Sequence, residues 1–393
     1  MFASPLYEAA RRRDALVTWA VEHAFPLWWD AGYDHARDGF YEKLDQTGQP
    51  LDLPRRARVQ PRQIYAYAVA PSLGWDGPAG SIVHRALDAY LARYRRPDGL
   101  FRALVAAEGG VLDDSTDLYD QAFALFALAQ AARALNRRAA LEPVATALRD
   151  MLIVRCARQG GFALLDTGAL PLQSNPNMHL LEAALAWEEV GEDPRWTAMA
   201  DGIAGLALAR FIDPVSGALR EFFDANWQPA PGEAGRIVEP GHQFEWAWLL
   251  LRWGRSRGRA DGTRAGLRLL EIGETHGVDP ARGVAFNSLL DDFSIHDHTA
   301  RLWPQTERLK AALLAAEITG EERFWTQAAR AADGLSLYLD TAVRGLWWDR
   351  LSPDGVLVEE PAPASSFYHI ICAIAEFDRA VTRAGVTRPG SKA

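Results

Sequence analysis

Residues 117–135 read DLYDQAFALFALAQAARAL, a helix-length run in which apolar side chains occupy nearly every position instead of one stripe. A helix of that kind has no face to offer to water and must be buried on most sides. The stretch 241–255, GHQFEWAWLLLRWGR, has the same character, whereas 78–95 and 321–340 spread Arg and Glu over an outer face. Buried and amphipathic helices therefore alternate along the chain. Runs of Ala, Leu and Trp at i, i+3, i+4 spacing, broken at Pro, Asp or Gly, predict helices near 5–24, 61–73, 78–95, 117–135, 139–156, 176–191, 193–211, 241–255, 262–276, 304–318, 321–340 and 365–384.

The helix pairs follow a repeat. A Gly followed by apolar residues closes a turn-rich stretch at Gly39, Gly99, Gly161, Gly217, Gly283 and Gly345, at intervals of 60, 62, 56, 66 and 62 residues. Six such units close most simply into an all-α fold, an (α/α)6 barrel of twelve helices with the buried set inside. Segments such as GGFALLDTG (160–168) and GLWWDRLSPDG (345–355) are expected to form short β-hairpins on one rim. An open solenoid shares the local pattern and is the alternative. No Ser/Gly-rich linker divides the chain, so residues 1–393 are expected to form a single catalytic domain.

Composition narrows the function. The chain has 393 residues, 49% of them hydrophobic, with 42 Lys and Arg against 51 Asp and Glu, a formal charge of −9. Phosphate backbones are held by clustered cations, so no nucleic-acid partner is expected. Cys156 and Cys372 lack a second Cys at metal or redox spacing, which fits a reducing cytoplasm and neither a disulfide scaffold nor a zinc ribbon. The segment MFASPLYEAARRRDALVTWAVEHAF mixes charge into helical spacing, unlike a secretory signal, and no apolar run approaches the ~18 residues that span a bilayer. A cytoplasmic protein with no membrane partner is expected. Trp19 and Trp196, on outer helices, are expected in core or subunit contacts, the latter compatible with a homodimer.

The residues able to do chemistry keep the same period. Arg62, Tyr119, His179, His242, Trp303 with Glu307, and His369 stand at or near the starts of successive inner helices, at steps of 57, 60, 63, 61 (to Trp303) and 66. Parallel inner helices would bring all of them to one end of the barrel. A lone His on an apolar helix is usually a hydrogen-bonded core residue, but three in register with a basic, an aromatic and an acidic residue point to a site. Glu182 and Glu245 each follow a His by three residues and so share its helix face. A carboxylate accepting one ring N–H fixes the tautomer and raises the basicity of His. The plainer account is that both acids favour the positive end of a helix dipole.

Six segments together resemble the N-acylglucosamine 2-epimerase family, which includes mannose isomerases, sulfoquinovose isomerases and cellobiose 2-epimerases. They are Arg58–Tyr67 (RVQPRQIYAY), Leu118–Phe123 (LYDQAF), Asn175–Glu182 (NPNMHLLE), Pro240–Leu249 (PGHQFEWAWL), Trp303–Glu307 (WPQTE) and Phe367–Ile370 (FYHI), spread in order from about residue 55 to residue 372. The resemblance implies an (α/α)6 barrel that moves a proton at C1 or C2 of a free reducing sugar, with no metal or redox cofactor. It implies that Arg62 polarises a sugar oxygen, that Tyr119 and Asn175 hold hydroxyls, and that His179 assists ring opening or orients O1. His242, backed by Glu245, and His369 would be the acid/base pair, and Trp303 and Glu307 would line the pocket. Pro240-Gly241-His242 with Glu245-Trp246 is closer to the monosaccharide-acting members, which favours mannose or a related hexose; the sequence has no Gly-rich phosphate loop.

Elementary chemistry agrees with that allocation. Removing a C–H proton beside a carbonyl makes an enediolate, which needs a base of near-neutral pKa and a cation where the oxyanion grows. A 2-epimerase needs groups on both faces of the planar intermediate, whereas an aldose–ketose isomerase can carry the proton from C2 to C1 with one base.

Rival readings give their own expectations. His179, His242 and His369 could instead be three zinc ligands. Asp117, Asp120, Glu245 and Glu307 could serve a glycoside hydrolase on the same barrel. Trp303, Trp347 and Trp348 could be stacking platforms of a sugar-binding protein, with rim packing the alternative for Trp347 and Trp348. His296 and His298 form an H-x-H pair that by residue type could hold a divalent metal but is expected in a solvated acidic loop near the rim, and His23, His35, His84 and His276 are read as structural.

Overall fold

The computed structural model describes residues 4–158, 160–163 and 170–388. Ser4 opens the first helix, its hydroxyl accepting the Tyr7 N–H at 3.5 Å while Pro5 fills the first turn, where no intrahelical N–H bond is needed. This helix, α1 (Pro5–Trp19), passes through a π-helical turn (Ala20–Ala24) into α2 (Phe25–Asp30), and together they make one outer rod. The remaining outer rods are α4 (Ala79–Tyr94), α6 (Arg138–Cys156), α8 (Arg195–Leu206), α10 (Ala260–His276) and α12 (Glu322–Leu339). Each buries one stripe: α4 turns Ile82, Val83, Ala86, Leu87, Tyr90 and Tyr94 inward.

The inner rods are α3 (Val59–Leu73), α5 (Leu118–Ala134), α7 (Ser174–Val190), α9 (Pro240–Arg257), α11 (Leu302–Thr319) and α13 (Ser365–Arg383). They are buried on nearly every side, as the apolar runs require. Each packs on the next, and α13 packs back on α3. The ring therefore closes, which excludes the open solenoid. Gln63 Nε2 donates to the Ala364 carbonyl at 2.7 Å across that closing seam. All twelve helices read from the sequence are present, with ends shifted by a few residues.

The rim follows the helices. Among the described residues, four strands of the rim pair with the segment entering the preceding inner helix: Leu104–Val105 with Arg55–Arg56, Phe222–Phe223 with Leu172–Gln173, Ser288–Leu290 with Ile237–Val238, and Arg350–Leu351 with Ala300–Arg301. Lys43–Leu44 pairs with Ala362–Pro363 and joins the last unit to the first. Of the expected GGFALLDTG hairpin, residues 164–168 lie outside the described residues. The repeat's glycines mark left-handed turns, with φ of 88° at Gly99, 77° at Gly217, 73° at Gly283 and 98° at Gly345. In the other two units the preceding residue takes that conformation, Asp38 at 52° and Gly160 at 91°.

A side-chain amide ties five of the six turns to their inner helices. Gln121 accepts the Phe101 N–H and donates to the Phe101 carbonyl, both at 2.8 Å. Gln60 treats Phe40 in the same way, Asn177 treats Phe162, and Gln243 treats Leu219. Gln305 accepts the Ala285 N–H. These amides hold the loops that carry the catalytic rim at a set height on the barrel. Gln121→Ala would leave both buried backbone groups of Phe101 unpaired, so a loss of about 2–4 kcal/mol is expected in urea unfolding. An unchanged unfolding midpoint would contradict this role.

Candidate active site

The inner helices begin at one mouth, and a cavity of about 240 Å³ opens there. Arg62, Tyr119, Asn175, His179, His242, Glu245, Trp303 and His369 line it, so one site gathers eight of the nine residues singled out by period and resemblance. The ninth, Glu307, lies beneath it and is fully buried. Glu239, Arg301, Ser365 and Ser366 complete the lining. A second cavity, about 330 Å³, lies among the later turns of the inner helices at the opposite mouth. It contains no His, and its arginines are engaged by acids: Arg133 and Arg252 by Glu189, and Arg379 by Glu376.

Each histidine meets its own carboxylate. His369 places Nδ1 at 2.8 Å from Glu307 Oε1. His179 has Nδ1 at 3.3 Å from Glu182 Oε2, the i+3 pairing read from the sequence, and at 3.8 Å from Glu245 Oε1. His242 departs from expectation, because Glu245 does not back it. Its Nδ1 lies 2.8 Å from Glu221 Oε2 and 3.4 Å from Glu239 Oε2. His242 stands in the first turn of α9 beside the rim, where the loop bearing Glu221 reaches it, whereas Glu245, one turn deeper, faces His179. Ser174 Oγ fixes Glu221 by donating to Oε2 at 2.9 Å.

These surroundings drive the histidines apart. Burial opposes charge on His242, but Glu221 and Glu239 outweigh it and lift its pKa to about 10. Burial lowers His179 to about 4 in spite of Glu182. Burial, reinforced by Arg62 and Lys310, holds His369 well below the usual imidazole range. At neutral pH the cavity thus contains an imidazolium at His242 and a neutral imidazole at His369. With Nδ1 of His369 engaged by Glu307, Nε2 is the ring nitrogen left for a ligand.

Arg62 brings the fixed positive charge. Its guanidinium bonds the Tyr119 hydroxyl and the Ser365 carbonyl, the latter at 3.2 Å, and packs 4.2 Å from the centroid of the Phe123 ring. Trp303 stands between the two catalytic candidates, its ring 5.1 Å from that of His242 and 5.7 Å from that of His369. Gly241 makes room for it, since a Cβ there would come within 2.4 Å of the indole.

Of the other expectations, some are met and some change. Trp347 is fully buried and stacks 4.7 Å from Trp28, so it belongs to the core and not to a sugar platform. Trp348 donates its indole N–H to the Asp340 carbonyl. Trp196 is buried against Trp187, a core contact. Asp120 is fully buried against Arg58, with Nε 2.9 Å from Oδ1, and stands outside the cavity lining, as does Asp117. His296 lies on a rim strand between Ser288 and Glu233. Among the described residues, the groups able to hold a metal ion each contain one His with two carboxylates: Glu221 and Glu239 with His242, Glu182 and Glu245 with His179, and Glu245 and Glu307 with His369. The three imidazoles are not gathered into one ligand set, contrary to the zinc reading. No helix among the described residues is long and apolar enough to cross a membrane.

Glu221, Glu239 and Arg301 were not singled out in the sequence. Glu239 and Arg301 could have been found, since each stands within three residues of a singled-out His242 or Trp303. Glu221 carries no such signal; it is 21 residues from His242.

Comparison with known proteins places these features. The family model described as N-acylglucosamine 2-epimerase (GlcNAc 2-epimerase) matches residues 39–373. A protein of Rhizobium meliloti (strain 1021) named mannose-6-phosphate isomerase is 50% identical over 376 residues, covering 94% of this chain and 97% of that protein. A D-mannose isomerase of Thermobifida fusca is 26% identical over 376 residues, covering 86% of this chain and 90% of that protein. The crystal structure of a D-mannose isomerase shares the fold, with a TM-score of 0.84 at 19% identity over 92% of this chain and 97% of that one.

Proposed function

This chain belongs to the N-acylglucosamine 2-epimerase family and is a sugar isomerase or epimerase, and from that premise we propose that it interconverts mannose-type aldohexoses and their ketoses through an enediolate. One observation carries the reading: His369, with Nδ1 on Glu307, and His242, with Nδ1 on Glu221 beside Glu239, share one cavity with Arg62; burial, Arg62 and Lys310 keep His369 neutral, and the two carboxylates keep the proton on His242. His369 Nε2 takes the proton from C2 of the open-chain sugar while the His242 imidazolium gives a proton to O1; the neutral His242 then accepts the O2 proton as His369, after exchange of its proton with solvent, delivers one to C1. Arg62 and the His242 imidazolium stabilise and protonate the oxygens on which charge develops. His179, neutral and turned to Glu182, orients O1 during ring opening, while Tyr119 and Asn175 hold hydroxyls. Trp303 forms the apolar wall. The isomerase outcome is preferred to 2-epimerisation because relatives at 50% and 26% identity over most of the chain carry isomerase names.

The substrate we favour is the free hexose. A phosphate group is held by several cationic or N–H donors, and the two arginines of the lining are already engaged. Arg62 bonds Tyr119 and Ser365, and Arg301 stands 3.8 Å from Asp349. A hexose 6-phosphate is the second reading, supported by the name of the 50% identical relative. Arg301, with its side chain 44% exposed, would receive the ester.

Incubation in D2O with mannose, glucose, fructose and mannose 6-phosphate, followed by NMR, tests these readings. A ketose product carrying solvent deuterium at C1 is expected. An aldose epimer labelled at C2 would replace isomerisation by epimerisation, and no exchange with any sugar would overturn both. Arg301→Ala should leave mannose turnover within about threefold of the parent. A loss of tenfold or more confined to mannose 6-phosphate, about 1.4 kcal/mol of lost binding, would favour the ester.

A further inference from the structure

Lys310 lies in the middle of α11 with its side chain fully buried at the barrel axis. Its Nζ is 2.6 Å from Glu307 Oε2, 3.8 Å from Cys372 Sγ and 3.9 Å from the centroid of the Trp248 ring. Placing an ammonium in such a setting is strongly unfavourable unless a partner repays the lost hydration. Helix packing alone would be served by Leu or Met there, as it is by Leu309, Leu313 and Leu314 on the same helix. The partner chosen is the second oxygen of the carboxylate whose first oxygen accepts His369 Nδ1.

We infer that Lys310 is a positioning residue that acts through Glu307: by keeping Glu307 a carboxylate, it fixes His369 as the Nδ1–H tautomer and leaves Nε2 free to accept a proton. The inference rests on the reading of His369 as the base. Carboxylates converge on Lys310 from three helices, Glu182 from α7, Glu245 from α9 and Glu307 from α11. Other charged or titratable groups facing this layer include Arg62 and Tyr65 from α3, Tyr119 from α5, His179 from α7, His242 from α9, and Tyr368, His369, Cys372 and Glu376 from α13. Tyr368 and His179 already satisfy Glu182. Burial pushes the Glu307 carboxyl up, and Lys310 is the strongest influence holding it down.

Without Lys310, Glu307 would face Glu182 and Glu245 in the buried layer and would take a proton from solvent. A protonated Glu307 donates its O–H to Nδ1, the imidazole proton moves to Nε2, and the nitrogen turned to the sugar can no longer act as a base. Removing the Lys310 charge also eases protonation of His369. Both effects move the acid limb of the rate profile toward higher pH.

The test combines Lys310→Met, the cation-retaining Lys310→Arg and the parent protein. Ring 15N shifts of histidine-labelled free enzyme, with His369→Gln supplying the assignment, read the tautomer without any sugar. The parent should show Nδ1–H at His369 and Lys310→Met should show Nε2–H. With mannose, Lys310→Met should lose about 100-fold in kcat at pH 7, keep KM within about threefold, and recover as pH rises, while Lys310→Arg keeps the parental limb. An Nε2–H tautomer in the parent overturns the inference even if neither variant folds. So does a loss in Lys310→Met that is uniform across pH with the tautomer unchanged. Absence of turnover with every sugar would instead sink the isomerase reading and leave the tautomer result standing.

Discussion

His369→Gln is expected to lower kcat for mannose–fructose interconversion by about 10²–10⁴-fold, the usual worth of a positioned general base, with KM changed far less. Gln is of similar size and can still donate to Glu307, so the fold and the pocket survive; what disappears is the basic nitrogen. Deuterium exchange at the sugar carbon should fall in the same proportion, because a single proton transfer underlies both. In the parent, kcat/KM should decline on the acid side only well below pH 6.5, since burial, Arg62 and Lys310 disfavour the imidazolium of His369. Residual exchange within tenfold of the parent would remove His369 from the reaction.

The second large effect belongs to His242 and its carboxylate. His242→Gln should reduce kcat by about 10²-fold and abolish the alkaline limb of the profile. In the parent that limb is expected near pH 10, where His242 loses the proton that Glu221 and Glu239 help it to keep against burial. Glu221→Gln removes the nearer carboxylate, so the limb should move down toward neutrality and the rate at pH 8 should fall. An alkaline limb unmoved in Glu221→Gln would show that His242 is not the titrating acid. The same linkage acts on stability. A pKa raised on folding contributes stability that is fully present below about pH 6.5 and is lost as pH rises through about 10, so Glu221→Gln should narrow the gap in thermal stability between pH 6 and pH 10.

Much of this was legible before any coordinates. Apolar residues around the whole circumference at 117–135 and 241–255 mark inner helices because burial leaves no polar face, and the 56–66-residue recurrence of Gly and turn residues marks the units. His179, His242 and His369 could be placed together because side chains in the same register of parallel helices end at the same mouth. The His179–Glu182 pair was legible because i and i+3 share a helix face. The same rule failed for His242 and Glu245. At the first turn of a helix a side chain can turn to the rim instead of the barrel axis, and there a carboxylate 21 residues earlier displaced the helical neighbour. For Trp347, beside a rim glycine, packing and sugar contact were both open, and Trp28 and Phe367, which enclose it from helices remote in sequence, decide for packing.

Twelve helices, their division into inner and outer sets, and the residue types at the mouth follow from the amino-acid order alone, because these depend on periodic burial, which is local and repeats. Which carboxylate serves which histidine, the place of Glu307 under the cavity with Lys310 behind it, and hence which imidazole carries the charge, emerge only once the helices are packed. Those outcomes depend on electrostatics over a few ångströms between residues on different helices. The spacing along one helix does not encode distances across a closed ring.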